Sequence, residues 1–365
     1  MGDPALRVTY LVRGAAREIE ARAESLLLEQ AVELPRAALR DAGPAAQTLG
    51  QVESVEPASE DRYRVTISHP LRTTAHDPAQ LLNVIFGNSS LQSDIVLADV
   101  ELPDPAFDWL PGPRVGIAGL RALTGVEGRP LLATALKPMG LEPRQLAELC
   151  RTFASAGIDL VKDDHGLADH PFCPFEARVE ACLRATEGSR TVYVPNLIGT
   201  PERVVRQLAF ARDAGARAVM LSPMVVGLPL LHQLAAMTDG LPVLAHPSLA
   251  GVLPAQATVL FGKLFRWYGA DAVIFPHTGG RFSFGTETCR ALAETLRAPH
   301  PRVRPSFPVP AGGIRLERVE EILAFYGRDG ILLIGGSLYE AGDELYERTR
   351  ALVARVAQAA SAERV

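Results

Sequence analysis

The chain has 365 residues, 47% apolar and 22% charged, the balance of a globular protein with a sizeable core. A net charge of −5 argues against nucleic acid or an anionic membrane surface as a partner. Four scattered cysteines (Cys150, Cys173, Cys182, Cys289) without a CxxC pair argue against a zinc ribbon or a disulfide scaffold, and no apolar signal core or membrane-length apolar run is present, so the sequence predicts a soluble cytoplasmic protein.

The first hundred residues mix strand and helix signals. "LRVTYLV", "YRVTISHP" and "SDIVLADVELP" read as strands. "EIEARAESLLLEQAV" reads as a helix, and "AQLLNVIFGNSS" starts helical and ends in a turn. This predicts a small α+β (ferredoxin-like) domain over residues 1–112, with the Pro- and Gly-rich "PDPAFDWLPGPRVG" as linker.

From about residue 130 short apolar runs alternate with amphipathic segments. The runs are "PLLATALKP", "GIDLVKDD", "TVYVPNL", "AVMLSPMVV", "LPVLAHP", "DAVIFPHTGG", "SFPVPAGG" and "GILLIGGS". Eight βα repeats predict an α/β chain whose second domain, residues 113–365, is a (β/α)8 TIM barrel with C-terminal helices. A doubly wound open sheet is the alternative, but the Gly-rich first turn it needs is missing.

Chemistry in such barrels sits at the C-terminal ends of the strands. Here those ends carry Lys137, then Lys162, Asp164 and His165, then Asn196, His246, His277 with Gly279, Gly280 and Arg281, then Gly312 with Gly313, and Gly335 with Gly336. Alternation sends Lys162 and Asp164 to one face of strand two and Asp163 to the other. A carboxylate beside an imidazole can hold a divalent cation, which a charged lysine would repel. A Lys–Asp salt bridge closing a barrel layer reads the same residues without a metal. The glycine pairs after strands seven and eight occupy the usual phosphate position of these barrels, or serve turns that need positive φ. Lys137 suits a general base if a nearby cation lowers its pKa, or a salt-bridged rim residue. His246 reads equally as a hydrogen-bonded core histidine. Arg281, in "HTGGRFSFG", suits an anion clamp on a mobile loop.

Together these motifs resemble ribulose-bisphosphate carboxylase large subunits and, more closely, the RuBisCO-like proteins. "GIDLVKDDH" is similar to the family's Lys-x-Asp-Glu metal motif and "ATALKP" to its strand-one lysine motif. "FGNSS" and "LLEQAVELP" resemble N-terminal-domain segments, and "PAGG" and "LIGGS" the phosphate-binding pairs. The resemblance implies that Lys162 is carbamylated by carbon dioxide and binds Mg²⁺ with Asp164 and His165. It implies that Lys137 lies near the enolising carbons and His246 is the strand-five histidine. Gly312, Gly313, Gly335 and Gly336 would hold phosphate. Glu29 and Asn88 would reach the active site of a partner subunit in a homodimer.

Departures from the carboxylases are equally informative. His165 replaces the third ligand, a glutamate. Met139 replaces the second lysine of Lys-Pro-Lys, Ala135 a threonine and Pro247 an arginine that grips a second phosphate. The loop "PHTGGRF" lacks the lysine that orients carbon dioxide. The expected activity is therefore Mg²⁺-dependent enolisation, as isomerase or tautomerase, of a phosphorylated keto-sugar such as 5-methylthioribulose 1-phosphate. The alternatives are a decarboxylase or transcarboxylase/hydrolase of a 3-oxo acid-sugar phosphate in apionate catabolism, with Arg281 on the substrate carboxylate, and an idle phosphosugar-binding relative.

Overall fold

The computed structural model describes residues 3–39, 43, 47–282 and 284–362. It divides into two compact units, Met1–Pro111 with Ala250–Leu264, and Gly112–Leu249 with Phe265–Val365. Among the described residues no helix is long and apolar enough to cross a membrane.

The first unit is built on four strands, β1 (Ala5–Arg13), β2 (Gln51–Pro57), β3 (Arg62–Pro70) and β4 (Ile95–Glu101). They lie in the order β2-β3-β1-β4 with every neighbouring pair antiparallel. The helices Ile19–Ala31 and Pro78–Phe86 fall after β1 and β3, which gives the split βαβ arrangement of ferredoxin-like folds. Leu6, Val8, Tyr10 and Val12 of β1 are buried while Arg7 and Arg13 are exposed, the pattern of a sheet covered on one face. Asp77 starts the second helix, its carboxylate accepting the N–H groups of Ala79 (2.8 Å) and Gln80 (2.9 Å), with Pro78 at the first helical position. The segment Ala250–Leu264 is bound to edge strand β4. Leu97 donates to the Pro254 carbonyl and accepts from the Gln256 N–H, and Lys263 Nζ reaches Asp99 Oδ1 at 2.6 Å.

Strand β2 has no counterpart in the sequence reading. Its register slips between Val52 and Ser54, so Val52 and Val55 stand three residues apart and the apolar alternation is lost.

The second unit holds parallel strands β5 (Leu131–Ala135), β6 (Leu160–Lys162), β7 (Val192–Val194), β8 (Asn196–Leu197), β9 (Val219–Leu221), β10 (Val243–Ala245), β11 (Ala272–Pro276), β12 (Phe307–Ala311) and β13 (Ile331–Leu333). Their order, β7-β6-β5-β13-β12-β11-β10-β9-β8, begins and ends on two pieces of one chain segment. Pro195 lies between the pieces and has no N–H for the ladder, so the nine segments make eight barrel positions. All eight expected strands are present.

The barrel core is formed by alternate residues, among them Leu131, Ala133, Leu160, Val192, Val194, Met220, Ile274, Phe307 and Leu333. The helix Gly116–Thr124 adds Leu120 to this cluster. Its first turn is fixed by Asp271, whose Oδ1 accepts the Val115 and Gly116 N–H groups at 2.8 and 2.6 Å. Arg129 grips Asp159, which precedes β6, through both carboxylate oxygens. This cap and this ion pair lie at the N-terminal ends of the strands, the end of a TIM barrel that serves stability.

Candidate active site at the strand C-termini

Strand β6 sets the geometry. Leu160 belongs to the barrel core, so Lys162, two residues on, points the same way from the top of the barrel. Asp163 turns outward and is fully buried. It accepts hydrogen bonds from Arg178 Nε (2.9 Å), the Tyr193 hydroxyl (2.7 Å) and the Asn196 N–H (3.0 Å). Burial opposes the charge on Arg178, yet the Asp163 carboxylate outweighs it and raises the guanidinium above its ordinary pKa. Asp163 is thus a buried anchor behind the motif.

Lys162 is 3% exposed and its amine donates to the Asp163 carbonyl at 2.8 Å. Burial lowers its pKa to about 8; Asp164 partly opposes this and Lys137 adds to it. Asp164 is buried, and its Oδ2 is paired with the Lys137 ammonium. Its Oδ1 accepts the Gly166 N–H at 3.1 Å and lies 3.3 Å from His165 Nδ1. Burial pushes the Asp164 carboxyl up, but the hydrogen bonds from Lys137 and Gly166 prevail and hold it low. The salt bridge of this layer therefore runs from strand β5 to strand β6, between Lys137 and Asp164.

The His165 ring stacks on His246, with centroids 4.2 Å apart and planes at 11°. Burial lowers the pKa of both imidazoles, so both are neutral near pH 7. The Ser248 N–H donates to His246 Nδ1 at 3.2 Å, which assigns the ring proton of His246 to Nε2. His246 is therefore a rim group that presents an N–H.

The two glycine pairs differ. Gly312 and Gly313 have φ of +85° and +71°, and a Cβ on Gly313 would stand 2.8 Å from the Gly279 carbonyl carbon. Turn geometry and close packing of loops six and seven account for both. Gly335 and Gly336 have no such need. A Cβ on Gly336 would meet nothing within 4 Å, and one on Gly335 only Lys137 Cε at 3.9 Å. The open pair thus lies beside the strand-one lysine. Ser337 ties its loop to loop seven by donating to the Ile314 carbonyl at 2.9 Å.

Other expected residues lie elsewhere. In the first unit Asn88 donates to Glu29 Oε1 at 3.1 Å, so these two are brought together. Arg281 is exposed and lies over the Phe282 ring at 5.0 Å. His277 is held by the Tyr326 hydroxyl at 2.8 Å.

Sequence reasoning missed Tyr339, and it placed Asn196 on the rim without a role. The Tyr339 hydroxyl donates to the Ala135 carbonyl (2.9 Å) and accepts the Lys137 N–H (3.0 Å), fixing the end of β5. Its side chain comes from the helix after β13, and only its position after "LIGGS" hinted at a site role. Asn196 donates its amide to the carbonyls of His165 (3.0 Å) and Leu167 (3.2 Å), holding the loop that carries His165. Its carboxamide orientation follows, because both partners are acceptors.

A ferredoxin-like unit joined to an eight-stranded barrel, with Lys-Asp-Asp-His closing strand two, defines a protein of the RuBisCO large-chain type. The family described as ribulose bisphosphate carboxylase large chain, catalytic domain, matches residues 116–363. The chain is 49% identical to the ribulose bisphosphate carboxylase-like protein 1 of Rhodopseudomonas palustris, over 96% of this chain and 97% of that one. It is 44% identical to the 5-methylthioribulose-1-phosphate isomerase of Rhodospirillum rubrum, over 98% and 97%. The crystal structure of a RuBisCO-like protein from Rhodopseudomonas palustris superposes with a TM-score of 0.91 at 44% identity, covering 98% of each chain. The chain belongs to the RuBisCO large-chain family and is a RuBisCO-like enzyme.

Proposed function

We propose that the protein isomerises a phosphorylated keto-sugar of the 5-methylthioribulose 1-phosphate type through an enediolate, without fixing carbon dioxide. The observation that carries this reading is the meeting of Lys137, Asp164 and the open Gly335–Gly336 pair on one rim. The end-to-end likeness to an isomerase of that substrate supports it.

The residues fit the family's divalent cation on a carbamylated lysine. A pKa of about 8 leaves roughly one Lys162 amine in ten neutral at pH 7, against about one in a few thousand for an ordinary lysine. The neutral amine is the form that takes up carbon dioxide, and the resulting carbamate is an oxygen donor on the same face as Asp164. Lys162, Asp164 and His165 would hold the ion. When bound, it supplies polarisation of the substrate carbonyl and enediolate oxygens.

Lys137 is paired with Asp164 Oδ2, so a cation held by that carboxylate would compete with Lys137 for it and leave the amine available to act as base. Lys137 Nζ then takes the proton from the hydroxyl-bearing carbon next to the carbonyl and delivers one to the former carbonyl carbon, while the hydroxyl proton passes from the new carbonyl oxygen to the old one, so the isomerisation needs no external oxidant or reductant. The His246 Nε2–H donates to a substrate oxygen. The N–H groups of Gly335 and Gly336, with those of Gly312 and Gly313, receive the phosphate. Met139 is 55% exposed and stands by Gly166, an apolar surface beside Asp164 for the substrate's tail. Glu29 and Asn88 complete the site of a partner subunit in a homodimer.

The test is turnover of 5-methylthioribulose 1-phosphate followed by phosphorus NMR. An isomeric phosphate is the expected product. No conversion, with carbon dioxide released from a 3-oxo acid-sugar phosphate instead, would replace this reading with the decarboxylase.

A further inference from the structure

The third donor position carries an imidazole where the carboxylases carry a carboxylate, and the surroundings of that imidazole go beyond a simple substitution. His165 has contacts at its ring and at its main chain. Its ring is stacked on His246 at 4.2 Å, and its main-chain carbonyl is held by Asn196 Nδ2 at 3.0 Å. Its Nδ1 stands 3.3 Å from Asp164 Oδ1. Adjacent donors of an octahedral shell with bonds of about 2.1 Å stand about 3.0 Å apart, so these two atoms already have the spacing of neighbouring ligands. Asp164 Oδ1 is itself oriented by the Gly166 N–H at 3.1 Å. His246 cannot play the same part through Nδ1, because that atom accepts the Ser248 N–H.

We propose that His165 is a nitrogen donor to the cation through Nδ1, so that the site selects an imidazole-accepting divalent ion, of the Mn²⁺, Fe²⁺ or Co²⁺ class, over Mg²⁺. This inference rests on the cation reading above and specifies the ion. Mg²⁺ is a hard ion that prefers oxygen donors and keeps its waters. Imidazole suits first-row transition ions, whose affinity for a mixed nitrogen and oxygen site rises from Mn²⁺ towards Co²⁺. His246 and Asn196 are positioning residues in this arrangement. They set the ring plane and the main chain so that Nδ1 faces the same point as Asp164.

The experiment uses the full chain with bicarbonate present. Mn²⁺ and Mg²⁺ are titrated competitively by electron paramagnetic resonance, and nitrogen coupling to bound Mn²⁺ is read by electron spin-echo modulation. In the wild type an imidazole nitrogen coupling is expected. In His165→Glu the coupling disappears, and the preference for Mn²⁺ over Mg²⁺ falls at least tenfold. Bound Mn²⁺ with no coupling, a coupling that survives in His165→Glu, or an unchanged preference would overturn the inference while leaving the cation reading intact. Binding of neither ion would overturn both.

Discussion

Lys137 at the end of strand β5 is ion-paired with Asp164 just beyond strand β6, while Lys162 between them donates to a backbone carbonyl. Two lysines and one carboxylate thus share a rim, and the carboxylate is committed to the more exposed lysine. Lys162 keeps its charge at a cost. Its folded pKa, about 8, lies below the 10.5 of an exposed lysine. Between those values the unfolded chain holds more protons, so this group makes stability rise with pH. In the absence of bicarbonate, the stability of wild type relative to Lys162→Met should therefore improve as pH is raised from about 8 to about 10, by denaturant melts. A constant difference would show that Lys162 is not desolvated. The same variant should lose turnover and keep its fold.

Arg178 and Asp163 are both fully buried and 2.9 Å apart. Removing one partner strands a buried charge. Arg178→Met should lower stability by about 3–5 kcal/mol in denaturant melts, and adding Asp163→Asn should restore most of it. If the single variant is as stable as wild type, the pair does not anchor strand two.

The glycine pairs should respond differently. Gly313→Ala forces a positive φ and backbone contacts under 3.0 Å, and should lower the melting temperature by several degrees, as a loss of about 2 kcal/mol would. Gly336→Ala has open space around its Cβ, and should fold normally while raising KM for a phosphorylated substrate roughly tenfold or more. Equal KM values would point to an unphosphorylated substrate.

Much of this was legible in the sequence, and the reasons are local. The eight strand runs and the parity of Lys162 against Asp163 follow from the period of two, which tertiary contacts do not alter. The partner of Asp164 was less accessible. It comes from the neighbouring strand, and alternation along one strand cannot show it. The His165–His246 stack joins strands two and five, and Tyr339 reaches strand one from the far end of the chain, so neither leaves a local signal. Strand β2 escaped because its irregular register spaces Val52 and Val55 by three. The paired glycines looked alike in sequence, and only their φ values and surroundings separate the turn-forming pair from the open one.

Asn88 and Glu29 form a hydrogen-bonded pair in the first unit, and the shared-site homodimer gives them a role in the partner's site. Asn88→Ala and Lys162→Met should each be nearly inactive. Co-expressed, they should recover about a quarter of wild-type turnover, because half of all dimers are mixed and each mixed dimer carries one intact site of its two. No recovery would indicate that each chain builds its own site.

In the proposed reaction Lys137 removes a proton next to the carbonyl of a phosphorylated keto-sugar at a cation-loaded rim. Proton NMR of 5-methylthioribulose 1-phosphate in deuterium oxide, with the wild type, bicarbonate and a divalent ion, tests it most directly. Loss of a proton signal at a carbon flanking the carbonyl is expected, at least a hundredfold slower with Lys137→Met. Exchange that proceeds equally fast in Lys137→Met, or no exchange with the wild type, would contradict it.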